Sequence, residues 1–197
     1  MRSQRTAVVV GGDERTELSD LTLAMKRTAE VLRRAGVRFA LCGGLAQFAR
    51  GGTASDHDVD FLILPEDADR TLAAMADAGH EIERPPEDWL VKAYVDGVLI
   101  DFIHRPVDRP VTTQTLADTD DLPLAAMTLP VLSGTELLVH GLLRLTATEC
   151  NFTEALLLAR AIREQIDFDR VREETKVSPF ARAFLFLADE LGIGDGP

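Results

Sequence analysis

Two apolar runs separated by a glycine pair dominate the segment from Val37 to Leu64, and they constrain the fold more than any other stretch. The first run, Phe39 to Cys42, is short and wholly apolar, as expected of a buried strand. It ends at Gly43-Gly44, where the absence of a Cβ allows a tight turn and a close approach of the backbone to a ligand. Residues 45–49 have the spacing of a short helix, so its free N–H groups would face that turn and suit an anion.

The second run, Asp58 to Leu64, opens with two acids separated by one apolar residue. Because strand side chains alternate between the two faces, Asp58 and Asp60 project together while Val59 enters the core. Neighbouring carboxylates repel each other unless a cation lies between them. Paired oxygen ligands of this kind suit Mg²⁺, which proteins usually hold with one or two carboxylates and substrate phosphates. This strand therefore predicts a divalent-cation site beside the glycine turn.

A hairpin further along the chain supplies one more acid. Asp96-Gly97 lies between the runs Trp89 to Val95 and Val98 to His104, and this dipeptide favours the type I′ turn of a β-hairpin. Asp101 is the acid inside the second of these runs. We therefore expect Asp101 on a strand, which gives a side chain the rigid position that a metal site needs.

These elements together resemble a known signature. The signature is that of the DNA polymerase β-type nucleotidyltransferase superfamily, which the chain resembles. It consists here of Gly43-Gly44, thirteen further residues, Asp58-Val59-Asp60, and Asp101 on a neighbouring strand. The resemblance is strongest to small bacterial members such as AbiEii-like proteins and aminoglycoside nucleotidyltransferases, and it covers residues 37–104. It implies an α+β fold, with a mixed-sheet nucleotidyltransferase core flanked by helices. The chain departs from the pattern at Gly44, where many relatives have a serine whose hydroxyl contacts phosphate.

The resemblance also implies a reaction, the transfer of a nucleoside monophosphate from an NTP such as ATP to an acceptor hydroxyl. Asp58, Asp60 and Asp101 would bind two Mg²⁺ ions that serve the attacking and leaving oxygens. Asp101 would also act as general base, and Gly43 and Gly44 would hold the β- and γ-phosphates through backbone N–H groups. The acceptor stays open between a small molecule, a protein side chain and a tRNA end.

The resemblance leaves the biological role open as well. Similarity to AbiEii-like toxins suggests a toxin–antitoxin or phage-defence role with a cognate partner protein, and similarity to aminoglycoside enzymes suggests antibiotic resistance. The alternative from another class is a catalytically silent relative that binds a nucleotide or a partner protein. Three mutually repulsive carboxylates would be an unusual choice for such a scaffold.

Several other residues near the motif have both a functional and a structural interpretation. Arg50, Lys92 and Arg105 are the basic residues nearest the motif, and for them phosphate contact competes with ordinary surface solvation. For Trp89 and Tyr94, packing within a strand is favoured over stacking on a base.

Two further segments compete with the motif or flank it. Asp56 and His57 precede the acidic pair, and a solvated loop is the favoured interpretation over nucleotide contact. Val8 to Gly12 imitates a strand that ends in a glycine turn, but no strand with paired acids follows it at a usable spacing. We therefore place the phosphate turn at Gly43-Gly44.

Composition limits the class of partner. The chain has 197 residues and a formal net charge of −12, which disfavours a long nucleic acid because such binding draws on a basic surface. Cys42 and Cys150 are too few for a disulfide framework and are expected to be reduced. The sequence predicts neither a signal peptide nor a membrane span, and we expect a cytoplasmic location.

The remaining pattern predicts four regions: an irregular N-terminus at 1–16, a catalytic domain at 17–132, a C-terminal helical region at 133–191 and a flexible tail at 192–197. A stripe of apolar residues between Leu18 and Ala35 predicts a helix that Gly36 ends. We expect a loop over Thr112 to Asp121 and a last strand over Met127 to Leu132. From Ser133 onward the pattern is helical.

Overall fold

The computed structural model describes residues 13–53 and 58–194. Within them, the strands are β1 Phe39–Cys42, β2 Asp58–Ile63, β3 Glu81–Glu83, β4 Leu90–Val95, β5 Val98–Ile103, β6 Thr119–Leu124 and β7 Met127–Leu132. They form one seven-stranded sheet in the order β3-β4-β5-β2-β1-β7-β6. The helices are α1 Asp13–Arg34, α2 Gly43–Ala49, α3 Ala68–Asp77, α4 Thr113–Ala117, α5 Gly134–Leu143, α6 Thr153–Ala161, α7 Phe168–Thr175 and α8 Pro179–Glu190. The predicted α+β class with a mixed sheet and flanking helices is confirmed.

The centre of the sheet has mixed strand directions. β2 pairs antiparallel with β1 and parallel with β5, and β1 pairs parallel with β7. In this register Asp60 lies opposite Cys42 on one side and opposite Asp101 on the other. The pairing therefore brings the acids of two strands, separated in sequence by α3, β3 and β4, side by side.

Residues of β2 and β5 that alternate with the acids form the hydrophobic core. Phe61 and Phe102 are fully buried, and their ring centroids are 6.2 Å apart in a stacked arrangement. Helix α1 packs on β2, β4 and β5, and α3 contacts α1 and β4. This packing fixes the strands from behind and leaves the acid-bearing face open toward α2 and the C-terminal helices.

The predicted hairpin is confirmed. β4 and β5 pair antiparallel, with Lys92 opposite Asp101. Asp96 and Gly97 both have positive φ, 53° and 84°, as a type I′ turn requires. The predicted first helix is present too. It begins at Asp13, ahead of the apolar stripe that starts at Leu18, and Gly36 follows its end with a φ of 67°.

The loop predicted over Thr112 to Asp121 is wrong. This segment contains α4, which Thr112 caps by accepting a hydrogen bond from the Thr115 N–H at 3.1 Å, and the start of β6. β6 is an edge strand that pairs with β7, and its polar exposed residues and Pro123 are typical of an edge. Because those same residues also favour loops, the sequence pattern did not reveal the strand.

The C-terminal region is helical as predicted. It also contains one helix, α7, that the sequence pattern did not predict. Asp167 accepts a hydrogen bond from the Arg170 N–H at 2.9 Å and so caps α7, which the sequence analysis did not identify. Ser133 and Ser178 cap α5 and α8 through their hydroxyls, each accepting from an N–H at 3.2 Å. Ile193, in the predicted flexible tail, is buried in the core.

Some expectations concern residues outside those that the structure describes. The competing glycine turn at Val8 to Gly12 lies there, and so do Asp56 and His57. Across 13–53 and 58–194, no helix combines the length and the apolar character needed to cross a bilayer.

Candidate active site

Three carboxylates meet on one face of the central sheet. Each of Asp58, Asp60 and Asp101 offers one oxygen, and these three oxygens lie within 4.8 Å of one another. Asp58 and Asp60 are two residues apart on β2, and Asp101 is the register partner of Asp60 on β5. Strand alternation and strand pairing together therefore produce the convergence that the sequence predicted.

The environment of this cluster disfavours the ionised forms of Asp60 and Asp101. Burial, followed by the neighbouring charges of Asp58 and Asp101, raises the pKa of Asp60 to about 7. Burial also raises the pKa of Asp101, and the nearby Lys92 opposes that rise. Lys92 Nζ lies 3.6 Å from Asp101 Oδ1, beyond hydrogen-bond reach. Asp101 Oδ1 is buried and has no hydrogen-bond partner.

Lys92 offsets part of the charge of Asp101 as an ion pair at 3.6 Å, but it donates no hydrogen bond to the buried Oδ1. A buried carboxylate oxygen normally has a hydrogen-bond partner, and the nearby negative charges help to raise the pKa of Asp60. A hard divalent cation would satisfy both requirements, since it accepts several carboxylate oxygens and favours their ionised form. Asp58, Asp60 and Asp101 could therefore hold such an ion.

The backbone of Gly43 lies against this cluster, in space that a side chain would otherwise occupy. It directly follows β1 and has a φ of 61°, a conformation that L residues rarely adopt. A Cβ placed on Gly43 would lie 1.8 Å from Asp60 Oδ2. The backbone at the start of α2 thus approaches the acid more closely than any other residue type would allow.

Cys42 lies beneath the same cluster. Its thiol is buried, and burial together with the nearby carboxylates raises the cysteine pKa well above its usual value. The thiol is therefore protonated and contributes packing rather than a reactive thiolate.

A cleft of about 820 Å³ opens above the carboxylates. One wall is the acid-bearing face of the sheet with Gly43 and Gly44, and the opposite wall comes from α5 and α6. His140, Arg144 and Glu154 contribute polar groups to that second wall. The volume lies within the range of small-molecule sites, roughly 300–1,000 Å³.

Two of these residues form an ion pair at the rim. Arg144 donates to a carboxylate oxygen of Glu154, and both side chains are more than half exposed, at 63% and 69%. The charge of Arg144 also reaches the carboxylates, since it lowers the pKa of Asp60 against the effect of burial. An exposed pair of this kind is weak and is easily exchanged for another partner.

His140 belongs to a more buried network. Its Nε2 lies 3.4 Å from Glu136 Oε2, and Glu136 in turn accepts from Arg170. Burial lowers the pKa of His140 to about 4, so the imidazole is neutral at physiological pH. This network joins α5 to α7 and stabilises the helical wall of the cleft.

Sequence reasoning did not find the residues of the helical wall. His140, Arg144 and Glu154 lie on or beside helices whose local pattern shows only an apolar stripe and ordinary surface charges. Their placement depends on α5, which contacts both α2 and residues 106–108. No spacing within the sequence carries that information.

The three basic residues near the motif have different positions. Arg50 is buried and donates from Nε to the Leu132 carbonyl at 2.6 Å and from Nη2 to the Val131 carbonyl at 2.9 Å. Its hydrogen bonds thus fasten the end of α2 to β7 instead of facing the cleft. Lys92 lies beside Asp101, whereas Arg105 lines the cleft and pairs with Asp88 at 2.9 Å.

The two aromatic residues also differ. The Tyr94 hydroxyl donates to Glu83 Oε2 at 3.0 Å on the adjacent strand, as expected of strand packing. Trp89 lies immediately before β4, lines the cleft and is 39% exposed. The packing role that we expected for Trp89 does not account for this exposure.

A family model described as "Uncharacterised nucleotidyltransferase" matches residues 21–195. The chain belongs to this nucleotidyltransferase family. It is therefore an enzyme of the nucleotidyltransferase class, as the resemblance predicted.

Solved structures show the same fold for this nucleotidyltransferase. The solution structure of the antibiotic-resistance factor ANT(2″)-Ia is 12% identical, covers 89% of this chain and 98% of its own, and superposes with a TM-score of 0.61. The crystal structure of ANT(2″)-Ia with adenylyl-2″-tobramycin is 13% identical, covers 84% and 97%, and has a TM-score of 0.56. No curated protein matches the sequence significantly. At these identities the likeness shows an aminoglycoside-nucleotidyltransferase-like fold.

Proposed function

We propose that this nucleotidyltransferase depends on Mg²⁺ and moves a nucleoside monophosphate from an NTP to the hydroxyl of an acceptor. The observation that carries the proposal is the meeting of three carboxylate oxygens within 4.8 Å on the cleft face of the sheet. The close approach of Gly43 to Asp60 supports it, since a phosphate bound at this turn would lie next to the carboxylates.

The residues present fit the cation that the family implies. Asp58 and Asp60 would hold two Mg²⁺ ions together with the donor phosphates, and Asp101 would complete the shell of one ion. Ions bound there would neutralise the negative charge of the triphosphate and of the attacking oxygen. A cation bound there would favour the ionised form of Asp60 and would give the buried oxygen of Asp101, which has no hydrogen-bond partner, a ligand to bind.

The chain itself positions the reactants. Backbone N–H groups at Gly43 and Gly44 hold the β- and γ-phosphates, and the missing Cβ at Gly43 lets them approach the acids. Asp101 takes the proton of the acceptor hydroxyl. The acceptor oxygen then forms a bond to the α-phosphorus, the bond from that phosphorus to the β-bridging oxygen breaks, and pyrophosphate leaves.

We propose ATP as donor and a small molecule as acceptor. The cleft of about 820 Å³ has the size of a small-molecule site, and a net charge of −12 disfavours a long nucleic acid. ANT(2″)-Ia, which shares the fold, is an antibiotic-resistance factor whose structure contains an adenylylated tobramycin. That likeness supports AMP as the transferred group and an antibiotic-modifying role. A donor of this kind and two free cysteines fit a cytoplasmic enzyme.

A thermal-shift experiment tests the donor and the cation together. ATP, GTP, CTP and UTP are each added with MgCl₂ or with EDTA, and stabilisation is expected with ATP only when the metal is present. Asp58→Asn combined with Asp60→Asn is expected to abolish the stabilisation. Asp121→Asn, at an exposed acid on β6, is the matched control and should retain it. Unchanged stabilisation in the double variant would refute the metal assignment.

Label transfer tests the chemistry. The chain is incubated with ATP labelled at the α-phosphate, MgCl₂ and a cell lysate, and the product is separated into small molecules, RNA and protein. Labelled AMP on a small molecule is the expected result. Nucleotide binding without any transfer of label would instead assign the chain as a catalytically silent binding protein.

A further inference from the structure

The strand order locates the acceptor side of the cleft, provided that the proposed function holds. The glycine turn follows β1, the acids lie on β2 and β5, and the next strand in the sheet is β4. In a phosphoryl-group transfer the attacking and leaving oxygens are roughly in line across the phosphorus. If pyrophosphate leaves on the side of Gly43 and Gly44, the acceptor must approach from the side of β5 and β4.

The residues at that side are mainly apolar. Trp89 precedes β4, Ile103 ends β5, and Pro106 and Val107 lie in the turn that follows. All four line the cleft. The Trp89 carbonyl accepts from the His104 and Arg105 N–H groups at 3.0 and 3.1 Å, so the start of β4 and the exit of β5 are fixed against each other.

The opposite wall supplies a second exposed apolar side chain. Leu157 on α6 is 47% exposed and lines the cleft. Trp89 is 39% exposed, which is a large uncovered area for an indole. Large apolar side chains that remain open to solvent on both walls of one cleft are typical of a ligand site.

Two consecutive non-glycine residues at the same place have positive φ. Val107 has a φ of 46° and the following Asp108 a φ of 59°, and both line the cleft. A β-branched residue at positive φ is a true outlier, since its Cβ crowds the backbone there. Strain of this kind persists at binding sites where the shape of the turn matters to the ligand.

We propose that Trp89, with the turn at residues 106–108, forms the acceptor subsite and selects a hydroxylated small molecule that has an apolar or flat ring face. The ring face packs on the indole, and the hydroxyl beside it reaches Asp101. Trp89 is thus a specificity-determining residue of the proposed reaction. We assign this position to the acceptor and not to the nucleobase of the donor, because the acceptor oxygen attacks from the side opposite the leaving pyrophosphate.

The sole tryptophan of the chain gives a direct readout of the donor. Fluorescence of Trp89 is quenched with acrylamide in the presence and absence of ATP and MgCl₂. Quenching is expected to persist with the donor bound, since the acceptor side stays open. Protection of Trp89 by ATP with MgCl₂ would place the base on the indole and overturn the proposal.

Label transfer from α-labelled ATP into a metabolite extract tests the acceptor. Trp89→Ala is expected to lower the transfer rate at limiting acceptor about tenfold, as loss of an aromatic contact does, while Trp89→Phe retains most of it. Ile82→Ala is the matched control, since Ile82 is 40% exposed and lies on β3 outside the cleft. Stabilisation by ATP with MgCl₂ should be unchanged in all three variants.

The nature of the labelled product completes the test. After removal of the AMP group, the acceptor is expected to be retained on a reversed-phase column. Label on RNA or protein, on a fully polar molecule, or on no small molecule although ATP with MgCl₂ stabilises the chain, would overturn the acceptor assignment. Absence of that stabilisation would refute the proposed function itself, so the two failures are distinguishable.

Discussion

At Gly43 the backbone and a carboxylate occupy the space that a side chain would need. Gly43→Ala is expected to destabilise the fold by more than the roughly 1–2 kcal/mol that an L residue pays at positive φ, because the new Cβ also displaces Asp60. Gly36→Ala is the matched control, since Gly36 has a similar φ of 67° and open space around it. Urea denaturation of both variants measures the difference, and equal losses would contradict the clash.

The Asp60 carboxyl predicts a pH dependence. Burial and like charges raise the pKa of Asp60 to about 7, so the folded chain holds a proton there that the unfolded chain releases near pH 4. Because the folded state binds more protons in this window, this group lowers the free energy of unfolding as pH rises from about 4 to about 7. Mg²⁺ competes with that proton, so stabilisation by MgCl₂ should be larger at about pH 8 than at about pH 6.

Thermal midpoints across this range, with MgCl₂ or EDTA, measure the effect. Asp60→Asn cannot ionise and is expected to flatten both the pH dependence without metal and the gain from MgCl₂. Asp121→Asn should leave both unchanged. A gain from MgCl₂ that is equal at the two pH values would contradict competition between the proton and the cation.

Single residues were predictable where a local rule governs them. The common orientation of Asp58 and Asp60 follows from strand alternation, and the structure places their oxygens together. Arg50 and Trp89 illustrate the opposite case. Their surroundings, a carbonyl-lined interior and an open cleft, are built by β7 and by the C-terminal helices. The residues next to Arg50 and Trp89 in the sequence therefore do not indicate what surrounds these side chains in the fold.

At the level of elements, the β4–β5 and β6–β7 hairpins have different residues at their turns. The β4–β5 turn uses Asp96-Gly97, whereas the β6–β7 turn has Ala125 and Ala126 at φ values of 49° and 62°. Replacing Ala125-Ala126 by Asn-Gly is expected to stabilise the fold by about 1–2 kcal/mol, because both positions require positive φ. Gly97→Ala should have the opposite effect. Chemical denaturation checks both, and no gain from Asn-Gly would contradict the assigned turn.

The same contrast explains which elements the sequence revealed. The β4–β5 hairpin was predictable because its turn dipeptide specifies the backbone, and β1 and β2 because their runs are apolar. β6 has polar residues, a proline and an alanine turn, so nothing local distinguishes it from a loop. Its strand conformation comes from pairing with β7, which in turn pairs with β1.

At the level of the whole molecule, the cleft joins two parts of the chain that are far apart in sequence. Asp58, Asp60 and Asp101 come from the sheet, and His140 and Arg144 come from the helical region. Sequence patterns predicted the first part because strand geometry relates its residues. They could not predict the second part, because the docking of α5 on α2 decides which residues of α5 and α6 face the acids.

The boundary predicted at 132/133 remains to be tested, and the packing suggests how. One hydrophobic core includes Leu41 of the sheet and Leu138 and Phe184 of the helices. Arg50 crosses the boundary as well, since it donates to Gln165 Oε1 at 3.1 Å. A chain that ends at Leu132 would expose the core and lose this hydrogen bond.

We therefore expect the chain that ends at Leu132 to lack a cooperative thermal transition, because removing α5–α8 takes away a large part of the hydrophobic core and the helix that packs on α2. A chain that ends at residue 194 is the matched control, since it retains the buried Ile193. Calorimetry with MgCl₂ separates the two possibilities. A sharp transition in the shorter chain would show that the sheet region folds by itself. The helices would then serve chiefly as the second wall of the cleft. In that case the shorter chain should lose acceptor binding and still bind the metal.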